Sequence, residues 1–231
     1  MNRLIIDTET TNGFSNPRVY DFGGLVINHK GEEVDKFDFV IEEVFYDTSL
    51  MRNAYYKDKL PRYYDEIEAG IRKVVTFEQA RNAFLNMVKK HNISKVYAYN
   101  AYFDINALDK TSQLILRRGF LPTNCKIEWC CIMGAALSTI CTRRRYVEQA
   151  ARTPKGNVSI SAENVYRYLT KDESFEEAHT GLQDAYIEAF ILMCCLACHK
   201  KMNTKPQSLQ CFGEYWELQK RAKKIQKSSC R

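Results

Sequence analysis

Short apolar runs separated by polar turns mark the first part of the chain, and apolar residues at helical spacing mark the remainder. Leu4, Ile5 and Ile6 form a run of the kind found in a buried strand. Residues 20–28 and 33–41 are two extended stretches around His29-Lys30-Gly31-Glu32, a pattern that predicts a hairpin and, with the first run, three antiparallel strands. Phe77, Ala80, Phe84, Leu85 and Val88 then recur at helical spacing. A strand over 95–100, a helix from 105 to about 118, a strand over 126–130, a helix over 132–141 and an apolar helix over 184–199 complete the pattern. Antiparallel strands followed by strands alternating with helices predict an α/β chain built on a mixed five-stranded sheet flanked by helices.

Acids stand where three of these elements begin or end. Asp7 and Glu9 follow the first apolar run, and residues two apart on a strand point to the same side, so the two can grip one ion. Asp104 stands where the strand over 95–100 passes into the next helix, a place where unpaired amides favour an acid. His179 lies in a turn with Gly181, and Asp184 opens the last apolar helix. Clustered carboxylates repel one another unless a cation neutralises them, and an all-oxygen set suits magnesium or manganese better than zinc. Two such ions can hold the attacking and leaving oxygens of a phosphoryl transfer. His179, of near-neutral pKa, is the natural acceptor for the proton of water. Each piece has a plainer reading: a solvated loop, a helix cap, a structural histidine. Their order along the chain, each beside the element the chemistry requires, favours the site.

The three segments resemble the motifs of the DEDDh exonucleases, the DnaQ-like branch of the ribonuclease H-like superfamily. Asp7-Thr8-Glu9-Thr10-Thr11 resembles the first motif, Asn100 with Asp104 the second, and His179 with Asp184 the third. The resemblance spans residues 2–199, and the stretch 175–191 with the Tyr-rich segment before Ile71 further resembles small exonucleases of bacteriophages. It implies a ribonuclease H-like fold and removal of nucleotides from the 3′ end of DNA or RNA. By the same resemblance Asp7, Glu9 and Asp184 hold a first ion, Asp7 bridges to a second, and Asp104 holds the second largely through water. His179 activates the nucleophile, Thr10 and Thr11 meet the terminal nucleotide, and Phe103 packs against its base or sugar. Asn100 belongs to the substrate-binding set. Two positions depart from the pattern: Asn12 precedes Gly13, and Tyr99 stands where a histidine often does. The expectation is a two-metal 3′-to-5′ exonuclease of single-stranded DNA. RNA trimming and a binding module of the same fold that has lost turnover are the alternatives, and a replication or repair protein is a possible partner.

Composition narrows the setting. The 231 residues are 45% hydrophobic, enough for one sizeable core. The longest apolar run, 189–198, is about half of what a bilayer requires, and Asp7 arrives too early for a signal segment. Nine cysteines, including the adjacent pairs Cys130-Cys131 and Cys194-Cys195, argue against a disulfide framework and for a reducing cytoplasm, the host's if the chain is phage-encoded. Cys195, Cys198 and His199 form half a zinc pattern without its second half.

The net charge of +6 is uneven: residues 200–231 hold nine basic residues against Glu214 and Glu217, leaving 25 basic against 26 acidic residues before them. This basic extension, 201–231, predicts an amphipathic helix over 212–227 with Phe212, Tyr215, Trp216, Leu218, Ala222 and Ile225 on one side. Its lysines either attract phosphates or simply face solvent. Two further basic segments carry the same pair of readings: Arg143, Arg144, Arg145, Arg152 and Lys155, and the stretch 46–64, where Tyr46, Tyr55, Tyr56, Tyr63 and Tyr64 alternate with Arg52, Lys57, Lys59 and Arg62.

Overall fold

The computed structural model describes residues 1–11, 15–54 and 56–229, with side chains through residue 226. Asn12, Gly13, Tyr55 and Arg231, and the side chain of Lys227, lie outside the described residues.

Leu4, Ile5 and Ile6 are wholly buried because their strand, β1 (Arg3–Thr11), is central and covered on both faces. It pairs antiparallel with β2 (Arg18–Ile27), which pairs antiparallel with β3 (Glu33–Ile41). The β2–β3 turn is closed by the Asn28 side chain, which accepts from the amides of Lys30 and Glu32, and Gly31 supplies the left-handed residue at φ 87°. On the far side of β1 lie β5 (Lys95–Ala98) and β6 (Glu128–Cys131), both in parallel pairings. A short strand, β4 (Lys73–Val75), runs parallel to β3 at the opposite edge, so the sheet has six strands in the order β4-β3-β2-β1-β5-β6. The mixed sheet expected from the sequence is present, with β4 as an additional edge strand.

Two single turns, α1 (Glu42–Phe45) and α2 (Thr48–Met51), lead through a 3-10 turn at Lys57–Lys59 into α3 (Leu60–Glu68). The next helix, α4 (Phe77–Lys90), opens with a reciprocal capping box between Thr76 and Gln79. Between β5 and β6 runs α5 (Ala101–Leu116), which starts four residues before the expected 105. The helix expected over 132–141 is α6 (Ile132–Ala136) followed by a π turn at Leu137–Cys141. There the Ser138 and Thr139 hydroxyls donate back to the carbonyls of Gly134 and Ala135 and loosen the helical ladder. The chain continues through α7 (Arg144–Gln149), α8 (Ala162–Thr170), α9 (Gly181–Ala197) and α10 (Gly213–Ser229). Among the described residues no helix is long and apolar enough to cross a membrane. Cys125, Cys130, Cys131, Cys141, Cys194, Cys195, Cys198 and Cys211 are free thiols.

One packing contact positions the site. The N-terminus of α9 lies directly on β1 and β2. A Cβ on Gly23 would sit 2.0 Å from the Leu182 amide nitrogen, and one on Gly181 would sit 3.0 Å from the Asp7 carbonyl oxygen. Gly23 is also the residue paired with Asp7 in the β1–β2 register. Only glycines let the backbones approach so closely, and the approach sets the end of α9 against the acidic half of β1.

Candidate active site

Three segments far apart in sequence line one cavity of about 440 Å³. From β1 come Asp7, Thr8, Glu9 and Thr10; from the β5–α5 junction come Asn100, Phe103 and Asp104; from the turn into α9 come Glu177, His179 and Asp184. The β1–β2 register shifts between Glu9 and Thr10, so Tyr20 has no opposite residue. Irregularities of this kind twist a strand and re-aim its side chains, and this one falls where β1 meets the cavity. Thr11 is not among the lining residues. Its side chain is fully buried, its hydroxyl has no hydrogen-bond partner, and it bridges to Ala54.

Asp104 sits inside the first turn of α5 rather than opening the helix. Its Oδ1 accepts from the Thr8 hydroxyl at 2.8 Å, which ties the second segment to the first. Burial raises its carboxyl to about 7 while the Thr8 hydrogen bond pulls the other way. Asp184 rises to about 8, through burial first and then the charge of Glu177. Asp7 is pushed far above the carboxylate range by burial and then by Glu188, Asp104, Asp184 and Glu9; Glu9 follows through burial, Asp184 and Asp21.

Buried like charges at such range are tolerable only when protonated or paired with a cation. Asp184 is only 7% exposed and its Oδ1 has no hydrogen-bond partner. Glu9, His179 and Asp184 place one ligand atom each within 4.8 Å of one another, and Glu163, Glu177 and His179 do the same. A donor set of carboxylate oxygens with one imidazole fits a hard divalent cation such as magnesium or manganese. The half zinc pattern does not gather in this way: Cys195 is buried on α9, and the Cys198 sulfur accepts from Arg143 at 2.8 Å.

His179 adopts the left-handed conformation at φ 53° and stacks its ring on Tyr56, with centroids 3.7 Å apart and planes at 11°. Burial and then Lys59 depress its pKa, so the ring is neutral at neutral pH. Its Nδ1 stands 4.0 Å from a Glu177 oxygen. The turn is anchored from behind by Asp21, which is fully buried on β2 and accepts from the Gly181 amide at 3.1 Å and from the Tyr63 hydroxyl. Arg72 donates to Asp21 at 3.1 Å and to Asp38 at 3.0 Å, and its other nitrogen lies 2.8 Å from Glu66. Burial opposes the charge on Arg72, but these three acids outweigh it and hold the guanidinium charged.

Sequence reasoning passed over several of these residues. Glu177, Glu188 and Tyr56 line the cavity without having been singled out as site residues. For Glu188 the signal was available: a lone acid inside the most apolar helix, one turn after Asp184 and on the same face. Tyr56 was one of five tyrosines with nothing to separate it, and they divide sharply: Tyr63 is buried, while Tyr46 and Tyr64 are exposed. In the basic cluster after the π turn, Arg144 pairs with Glu148 and Arg152 donates to the Val147 carbonyl.

No family model matches the chain, and no curated protein sequence matches it. Solved structures do share its fold. The chain is similar to E. coli Exonuclease I in complex with a dA16 oligonucleotide, at 12% identity and TM-score 0.53 over 82% of this chain and 39% of that one. Apo Exonuclease I gives 12% identity and TM-score 0.52 over 82% and 40%. Cell-death related nuclease 4 (CRN-4) gives 12% identity and TM-score 0.56 over 97% and 78%. The chain spans about two fifths of the length of the Exonuclease I chains it matches. At these identities the likeness is one of fold: the α/β, ribonuclease H-like arrangement of a mixed sheet flanked by helices.

Proposed function

We propose that this chain is a metal-dependent 3′-to-5′ exonuclease of the DEDDh type acting on single-stranded DNA. The observation that carries the reading is the convergence of Asp7, Glu9, Asp104 and Asp184 with His179 on one cavity. Two neighbours in fold are Exonuclease I structures with bound oligonucleotides, which supports a nucleic-acid substrate. The whole activity of Exonuclease I is not carried over, since the chain matches a part of it.

Asp7, Glu9, Asp104 and Asp184 would hold the ions, and the cations when bound supply charge neutralisation and polarisation of the phosphate. The chain's own groups do the rest. His179 is neutral and accepts a proton at a ring nitrogen from the attacking water. Its stacking on Tyr56 and the anchoring of the Gly181 amide by Asp21 restrict where that ring points. Phe103, partly exposed at the cavity, offers an apolar face to the terminal nucleotide, and Asn100 and Thr10 offer polar groups beside it. Thr11 is left out of this set, because its side chain is buried away from the cavity. Burial, and then the neighbouring acids, raise the pKa of Asp7 and Glu9, so these carboxyls give up their protons fully only with a cation beside them.

The test is incubation of single-stranded DNA and RNA, each labelled at the 5′ end, with magnesium, manganese or EDTA. A ladder of products shortened stepwise from the 3′ end of DNA, lost in EDTA, is the expected result. Preferential shortening of RNA makes the chain an exoribonuclease. Retention of either polymer without shortening under any metal makes it a binding module.

A further inference from the structure

The acidic cavity holds two more carboxylates than the four-acid pattern provides for, Glu177 and Glu188, and Glu188 is the more deeply buried. Glu188 lines it, is 3% exposed, and lies on α9 one turn beyond Asp184, on the same helical face. Its Oε2 accepts from the backbone amide of Tyr99 at 3.0 Å, at the end of β5 and next to Asn100. One oxygen of Glu188 therefore holds the chain beside the second acidic segment, and the side chain lines the cavity that the first and third segments also line. Beside it, Asp184 is more than nine-tenths buried and lines the same cavity with an oxygen that has no hydrogen-bond partner.

We infer that Glu188 is a fifth member of the cation-holding set, acting on the side of Asp7 and Asp104 and strengthening retention of the second ion. This rests on the metal-dependent reading above and deepens it. The competing account is purely architectural: Glu188 serves only to satisfy the Tyr99 amide and to tie β5 to α9. The two accounts differ in what the charge does. A glutamine keeps an oxygen acceptor for the Tyr99 amide and removes the charge, so it leaves the architectural role intact and the cation role not. Cation affinity follows the number of charged ligands, which is why the neutral variant separates them.

The experiment is equilibrium binding of manganese to the full chain, read as free ion by electron paramagnetic resonance, with thermal unfolding in EDTA as a check on folding. The wild-type protein is expected to take up two ions. Glu188→Gln should hold the weaker one about tenfold less tightly, and should unfold at a higher temperature than wild type in EDTA at neutral pH, because the folded chain no longer has to keep a buried carboxyl protonated that is ionised when unfolded. Binding indistinguishable from wild type in a folded Glu188→Gln protein overturns the inference and leaves the exonuclease reading standing. Failure of the wild-type protein to bind manganese overturns the metal-dependent reading itself, and this inference with it. Glu188→Asp, which keeps the charge on a shorter arm, is the second variant. It should retain the second ion better than Glu188→Gln, and equal loss in both overturns the role of charge.

Discussion

His179 shows how much a single position is asked to do. It holds a left-handed backbone conformation that a non-glycine residue adopts at some cost, keeps its ring neutral, and lies flat against Tyr56. With the pKa depressed below its usual value, the acid limb of the activity profile should have its midpoint below about pH 6.5. His179→Ala should lower the turnover rate by about 10²–10⁴ and erase that limb, while substrate affinity survives. A variant that kept the wild-type pH profile would remove the histidine from the chemistry. Asp7 carries a different load, since Glu188, Asp104, Asp184 and Glu9 all act on it. Asp7→Ala should therefore abolish cleavage and yet raise the melting temperature in EDTA at neutral pH, because the folded chain no longer has to keep that buried carboxyl protonated. Measurable turnover by this variant would contradict its place in the cation-holding set.

Elements carry these residues, and the elements differ in how far the sequence announces them. The β2–β3 hairpin and the capped start of α4 are local: Asn28 with Gly31, and Thr76 with Gln79, specify them within a few residues. The strand β4 is three residues whose identity depends on pairing with β3, more than thirty positions away, and nothing local marks it. The same holds for the Asp21–Arg72 pair, which spans 51 positions and reads in sequence as two unrelated charges. Arg72 is 4% exposed and serves three acids, so Arg72→Ala leaves Asp21 buried without its cation. That change should cost about 3–5 kcal/mol in a denaturant titration. It should also loosen the His179 turn that Asp21 holds through Gly181.

The apolar side of the C-terminal extension is only partly covered. Phe212, Leu218 and Ala222 are buried as the amphipathic pattern requires, but Trp216 is half exposed and uses its ring N–H to donate to the Gln210 carbonyl. The extension also touches the cavity: Leu209 lines it, and Gln219 exchanges two hydrogen bonds with the backbone of Val158, close to the lining residues Ile160 and Ser161. Lys223 and Lys224 are exposed on the outer side of α10. If both meet phosphates, as the charge asymmetry suggests, replacing the pair with alanine should reduce the salt slope of single-strand binding by about 1.4. An unchanged slope assigns them to solvent.

At the scale of the whole molecule, folding concentrates negative charge at the centre and hands the excess positive charge to the C-terminal extension. Asp7, Glu9, Asp104, His179 and Asp184 could be singled out because each lies next to an apolar run or a helix start that the sequence makes plain, although β1 continues past Asp7 and Glu9 to Thr11. The additional weight of Glu188 and Glu177 was not legible, because burial and mutual distance exist only in three dimensions. This concentration has a thermodynamic signature. In the folded chain without cations Asp104 titrates at about 7 and Asp184 at about 8, and Asp7, Glu9 and Glu188 lie well above the ordinary range. In the unfolded chain such groups titrate near 4. Between about pH 4 and 8 the folded state therefore holds protons that the unfolded state has lost, and stability falls as pH rises through that window, by up to about 1.4 kcal/mol per pH unit for each group that keeps its proton. His179 acts in the opposite sense, since its depressed pKa makes the folded state bind fewer protons, but it is one group against several acids. Asp35, lowered to about 2 by Lys90 and His91, adds stability above pH 4 and loses it only toward pH 2, outside the window. Melting temperatures in EDTA should thus fall steadily from about pH 5 to 8. Excess magnesium, by replacing the protons, should raise the melting temperature more at pH 8 than at pH 5. An EDTA curve that rises across this range, or a magnesium effect independent of pH, would show that the acids do not share a cation-binding cavity.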